Sequence, residues 1–130
     1  MNDEAVLIAR LFLGIPFILW GVMKLRGGEA KLEPMLTGLG MPDAKLLAYL
    51  VGLCELIGGV GVTIGYPVRT VGVLLGLWCL VAGYAAHRKD ISMLLTHVAM
   101  AGGFFLLAAV GAGSISLFGG APTGLFAYLP

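Results

Sequence analysis

Charge is what this sequence has least of. Only 12% of its 130 residues are Asp, Glu, Lys or Arg, about half the roughly 25% of an ordinary soluble domain. From Ile91 to Pro130 there is no such residue at all. The net charge of +1 excludes the basic face that nucleic-acid binding requires. With 59% hydrophobic residues and a mean hydropathy of +1.00, the shortage of charge also excludes intrinsic disorder. A soluble sphere of this length could not hide so much apolar surface. Cysteine is nearly as scarce. Cys54 and Cys79 fall near the middle of two different apolar runs, where they can meet or act as small apolar residues. Two cysteines and two histidines on separate elements make no metal-ligand spacing. A haem pair of His87 and His97 would need both in the bundle interior, and His87 falls near a helix end. No serine–histidine–acid set exists either, since Ser114 and Ser116 lie beyond the last apolar run.

What remains is a set of long apolar runs. A membrane-crossing helix takes about 20 mainly apolar residues, and four segments qualify: about 5–23, 42–64, 70–86 and 91–113. The expected fold class is therefore all-α, an integral membrane four-helix bundle in one domain, with an interfacial tail over 114–130. Phe118, Leu125, Phe126, Tyr128 and Leu129 give that tail the aromatic and apolar character of a membrane boundary. The breaks carry ordinary helix chemistry. Gly65-Tyr66-Pro67 ends the second span, Pro42 and Asp43 suit its first turn, and Asp90 suits the N-cap of the fourth. Pro34 to Thr37 fits a short interfacial helix in the first loop. The first run is expected to be a retained span, because acids precede it and Lys24 to Arg26 follow it, the reverse of a secretory leader.

Basic residues set the expected orientation. Lys24, Arg26, Lys31, Lys45, Arg88 and Lys89 border loops one and three, six against the one or two, Arg69 and Arg10, on the other side. The positive-inside rule places both loops in the cytoplasm and both termini outside, in a cytoplasmic or inner membrane. Lipid tails are as apolar as leucine, so spans associate through small residues. Gly14 and Gly21, Gly61 and Gly65, Gly72 and Gly76, and Gly102 with Gly103 are expected to mark those seams; a homo-oligomer seam is the other use. Gly58-Gly59-x-Gly61 lies inside an apolar helix and is no nucleotide loop.

The few ionisable groups inside the spans are the candidate functional residues. A charge at the centre of a membrane helix costs on the order of 3 kcal/mol, so it normally faces the bundle and pairs. At 1.5 Å per residue, Glu55 lies roughly 14 Å and Arg10 about 8 Å from the outer face, and His97 about 9 Å from the inner one. Arg10 shares a stripe with Gly14, Phe17, Gly21 and Lys24, and Glu55 is flanked by Gly52, Gly58 and Gly59. These faces suggest a buried Arg10–Glu55 pair, with His97 close by and Lys24 at the cytoplasmic end. Arg10, Lys24 and His97 also have plainer roles: Arg10 snorkelling to headgroups, Lys24 anchoring the interface, His97 neutral and hydrogen-bonded; Glu55 has no such escape. His87 and Tyr84 read as belt or loop residues, Trp20, Tyr49 and Tyr66 as interfacial aromatics, and Trp78 as bundle packing.

Several of these features, in order, resemble the DoxX family of small four-helix membrane proteins. They are Arg10 with Gly21-Val22-Met23-Lys24, then Leu39-Gly40-Met41-Pro42, then Cys54-Glu55-Leu56-Ile57-Gly58-Gly59 followed by Gly65 and Arg69. Last comes Gly111-Ala112-Gly113-Ser114-Ile115-Ser116-Leu117. Family members commonly carry Asp after that Ser-Leu; here it is Phe118, so any role of that acid does not carry over. The resemblance implies an accessory subunit of a quinone-linked respiratory or redox complex, with cofactors carried mostly by partner chains and a quinone at an interface. It equally covers links to oxidative-stress complexes and assembly factors or scaffolds without redox chemistry. A small proton-coupled transporter is the alternative from the residues, although transporters of that size keep their acid in the first helix. The expected partners are membrane redox proteins and lipid.

Overall fold

The computed structural model describes residues 2–117; residues 118–130, and with them most of the expected interfacial tail, lie outside the described residues. The described chain is helical, with no strand. Helix α1 runs Asp3–Met23 and continues through one wide turn, Lys24–Gly28, into α2 at Glu29–Gly38. Helices α3 (Ala44–Ile64), α4 (Val68–His87) and α5 (Ile91–Val110) follow. Four stretches are long and apolar enough to span a membrane, the first of them containing α1. The chain is an all-α membrane protein.

Helix ends follow local chemistry, with a few departures from expectation. Asn2 caps α1 by accepting from the Glu4 N–H, and Asp90 caps α5 by accepting from the Met93 N–H. Gly65 ends α3 at φ 90°, a left-handed position that glycine enters without steric cost. Pro42 and Asp43, expected in the first turn of this helix, precede it instead. Asp43 adopts φ 50° and makes no side-chain cap, a conformation that acidic side chains tolerate better than most. The short interfacial helix expected at Pro34–Thr37 is the end of a longer one that starts at Glu29 and carries Pro34 inside it. The wide turn supplies that start: Gly27 sits at φ 111°, where a Cβ would be strained. The fourth span stops at Val110 rather than 113, since Gly111 leaves the helix at φ 85°.

The spans pack as two close pairs, α1 with α3 and α4 with α5, joined by a looser contact. Glycines explain the first pair. A methyl group on Gly21 would lie 2.6 Å from the Leu56 amide nitrogen, and one on Gly14 would lie 2.8 Å from the Gly59 carbonyl oxygen. Backbone meets backbone here, the contact that small residues permit in lipid. Gly72 does the same against the Phe104 carbonyl oxygen at 2.8 Å. Gly102 is a correction to the seam reading, with nothing within 4 Å of where its Cβ would stand. Gly61 closes first on Tyr66 O at the turn, 2.9 Å from its Cβ position, and then on Val71 of α4 at 3.6 Å.

Phe17 joins the two pairs, with its ring edge-on to Phe104 at 5.0 Å and to Trp20 at 5.3 Å. Val6, Val62, Leu75 and Leu107 are buried around it. Outward, Phe12 is 77% exposed and Ile57 63%, the reverse of a water-soluble helix and the pattern expected where lipid is the solvent. Helix α2 packs separately on the start of α3 through Leu36, Ala44 and Ala48, and Tyr49 donates to Glu29 Oε1 at 3.1 Å.

Candidate functional site: a charged wall in an apolar cavity

Arg10 and Glu55 are both buried, at 2% and 6% exposure, yet they do not pair with each other. The Arg10 guanidinium donates only to main-chain carbonyls: Nε to Val62 O at 3.1 Å, Nη2 to Thr63 O at 2.9 Å, Nη1 to Ala112 O at 2.7 Å and to Ile115 O at 2.5 Å. Val62 and Thr63 stand in the last turn of α3, where helix carbonyls lack intrahelical partners and a cation is favoured by the dipole. A guanidinium has five donors in a fixed fork, so one side chain ties the end of α3 to the segment after α5. Leu117 N–H donating to Ile64 O at 2.9 Å and Ser114 donating to Asp3 complete that closure. Arg69 repeats the device at the end of α5, donating to Ala109 O at 3.1 Å.

Glu55 instead pairs with Lys24, Nζ to Oε2 at 2.6 Å, and its other oxygen accepts from the Trp78 indole N–H at 3.0 Å. The expected Arg10–Glu55 pair is therefore corrected, for a reason of register. Gly14 faces Gly59 and Gly21 faces Gly52 across the antiparallel α1–α3 seam, which sets Arg10 level with Thr63. Eight residues separate Thr63 from Glu55, about 12 Å along the axis, more than an arginine spans. Gly52 gives the lysine its route, because a Cβ there would lie 2.8 Å from Lys24 Cβ. Trp78, read from sequence as packing, is a ligand of the carboxylate.

This charged wall faces a cavity of about 420 Å³, within the usual range of small-molecule sites, roughly 300–1,000 Å³. Lys24, Glu55, Trp78, Cys79, His87 and His97 contribute to its lining, and the remainder is almost wholly apolar. His97 Nδ1 lies 2.9 Å from Met93 O. A carbonyl can only accept, so Nδ1 carries the proton in this contact; in that tautomer Nε2 is an acceptor. The His87 ring lies 5.0 Å from that of His97, so His87 belongs to this cavity rather than to a loop. Gly83 brings the two helices close here, with a Cβ at that position 2.7 Å from His97 Cβ. Cys79 is buried and Cys54 is exposed, and both thiols are free; the two do not meet. Among the described residues no group of three or more His, Cys, Asp and Glu could hold a metal ion.

Four apolar spans closed by a buried arginine, around a cavity with one ion pair in its wall, define an integral membrane helix bundle. The DoxX family model matches residues 5–88, and the chain belongs to the DoxX family. It is 30% identical over 122 residues to "Inner membrane protein YqjF" of Escherichia coli (strain K12), covering 90% of this chain and 92% of that one. It is 34% identical over 115 residues to "Putative oxidoreductase CatD" of Bacillus subtilis (strain 168), covering 80% and 84%. A second Escherichia coli relative, "Inner membrane protein YphA", is 28% identical over 122 residues, covering 86% of each. No solved structure matches the chain significantly.

Proposed function

We propose that this protein is an accessory membrane subunit of a quinone-linked redox complex, and that its cavity receives the quinone ring. The cavity itself carries the proposal: a largely apolar chamber holding a few converging polar groups suits a flat ring with polar oxygens on an apolar tail. The residues present fit such a group. Lys24 gives one donor to Glu55 and has three in all, so it can hold one ring oxygen, while His97 Nε2 can accept from a reduced ring's hydroxyl. A bound quinone supplies two-electron, two-proton chemistry; the protein's own part is to bind the ring, keep Glu55 neutralised by Lys24, and exclude bulk water with Phe17, Trp20 and Met100. The name of CatD agrees with a redox role. We place the end of the bundle bearing Lys24, Lys45 and Lys89 in the cytoplasm of an inner membrane, in keeping with the basic residues gathered there and the names of YqjF and YphA.

Extraction of the tagged chain from its native membrane in mild detergent tests the proposal. It predicts co-purification of an oxidoreductase together with stoichiometric quinone. A bundle that purifies alone and quinone-free contradicts it, and leaves assembly factor or scaffold as the surviving reading.

A further inference from the structure

A second cavity, of about 710 Å³, opens beside the first at the wide turn between α1 and α2. Three basic residues line it, Lys24, Arg26 and Lys31, and no acidic one does. Lys24 is neutralised by Glu55, the one ion pair among the described residues. Arg26 and Lys31 are exposed, so the groove presents two uncompensated positive charges. Its other walls are apolar and include Trp20, Met23 and Leu32. Trp20 is 40% and Met23 63% exposed, and both stand at the end of a membrane span, on the surface that lipid covers.

We infer that this groove binds one anionic phospholipid, its headgroup phosphate between Arg26 and Lys31 and an acyl chain along Trp20 and Met23. The argument is charge complementarity joined to position. A soluble anion would satisfy the two cations but leave the apolar wall wet, and a zwitterionic lipid would cover the wall but bring its own cation to the basic pair. Only an anionic lipid meets both halves of the groove. Basic pockets between spans at the membrane border recognise such headgroups, each Lys or Arg strengthening the attraction. The wide turn creates the site: its non-helical Arg26 and Gly27 swing α2 away from the line of α1 and open the space between them. This inference is independent of what the larger complex does and of whether the first cavity holds a quinone.

Native mass spectrometry of the full chain in mild detergent, titrated with phosphatidylglycerol or phosphatidylcholine of the same acyl chains, tests it. Phosphatidylglycerol is expected to bind roughly thirtyfold more tightly than phosphatidylcholine, with two charges at the site. The R26Q/K31Q variant loses that preference and keeps the thermal stability of the lipid-free protein. The K45Q/K89Q variant removes two exposed charges from the same end of the bundle but outside the groove, and it keeps the preference. Glycerol phosphate at millimolar concentration leaves the bound lipid in place. Equal binding of the two lipids, a preference that survives R26Q/K31Q, equal loss in K45Q/K89Q, or displacement by glycerol phosphate would each overturn the inference.

Discussion

Lys24 meets Glu55 at 2.6 Å although its Cβ stands level with Gly52, three residues or about 4.5 Å of helix rise below Glu55. The meeting depends on side-chain direction. Cα–Cβ bonds tilt toward the N-terminus of their own helix, and α1 and α3 are antiparallel. Lys24 therefore leans up toward the membrane centre while Glu55 leans down toward it. Arg10 leans the same way as Lys24, toward the N-terminus of α1, but it starts near that end, so the tilt carries it away from Glu55 to the carbonyls at the end of α3. One geometric rule thus sorts both cations.

The two partners of the ion pair should not be equivalent in mutation. Lys24→Met leaves a carboxylate at 6% exposure with only the Trp78 N–H, and removing one member of a buried pair is expensive. With the lysine itself about a quarter exposed, the cost is expected at about 2–3 kcal/mol. Glu55→Gln should cost only about 1 kcal/mol, since glutamine still accepts from Trp78 and a freed lysine turns its ammonium to the interface. Denaturant unfolding in mixed micelles measures both; the reverse order would refute the assignment.

Arg10 should act alone. Arg10→Gln removes donors from four carbonyls and is expected to cost at least about 3 kcal/mol, given roughly 1.5–3 kcal/mol per charged hydrogen bond. Amide exchange at Leu117, whose N–H reaches Ile64 O, should accelerate in the same variant. Combined with Glu55→Gln, the effects should add within about 0.5 kcal/mol, as distant sites do. A larger coupling would restore the Arg10–Glu55 pair.

Glycines with the same composition value should differ sharply. Gly21→Val drives side-chain atoms into the Leu56 backbone and should separate α1 from α3, seen as a large fall in thermal stability in detergent. Gly102→Ala meets open space and should be neutral or stabilising by up to about 1 kcal/mol.

How far the sequence carried these results depends on the kind of information each needed. Span number and position followed from apolar run length, and the caps at Gly65 and Asp90 from single residue types. Burial of Arg10 and Glu55 followed from the cost of charge in lipid. Their partners did not, because pairing depends on register and on the direction in which each side chain leaves its helix. Depth alone put Arg10 within reach of Glu55; the facing of Gly21 with Gly52 moved it level with Thr63. Trp78 was legible only as a large apolar residue until α4 brought its N–H to Glu55. His87 was misread because a helix-end position hides a contact made through Gly83 and His97. The wide turn at Lys24–Gly28 has a sequence sign in its two adjacent glycines, and from it follow both α2 and the basic groove.

Sidedness is open to direct measurement. In a chain with Cys54→Ser and Cys79→Ala, Lys89→Cys should react with a membrane-impermeant maleimide only from the cytoplasmic side, and Asn2→Cys only from the other. The opposite labelling would invert the orientation.

The central claim is that the cavity beside the Lys24–Glu55 pair holds a quinone ring. The chain has two tryptophans, and both Trp20 and Trp78 line that cavity, so intrinsic fluorescence reports on it directly. Titration with a short-chain quinone should give saturable quenching in the native sequence. Saturation should be lost in His97→Ala and in Ala82→Phe, which fills the chamber, with both variants remaining monodisperse. Quenching that rises linearly without saturation, and equally in all three proteins, would show only partition into the detergent and would contradict the claim.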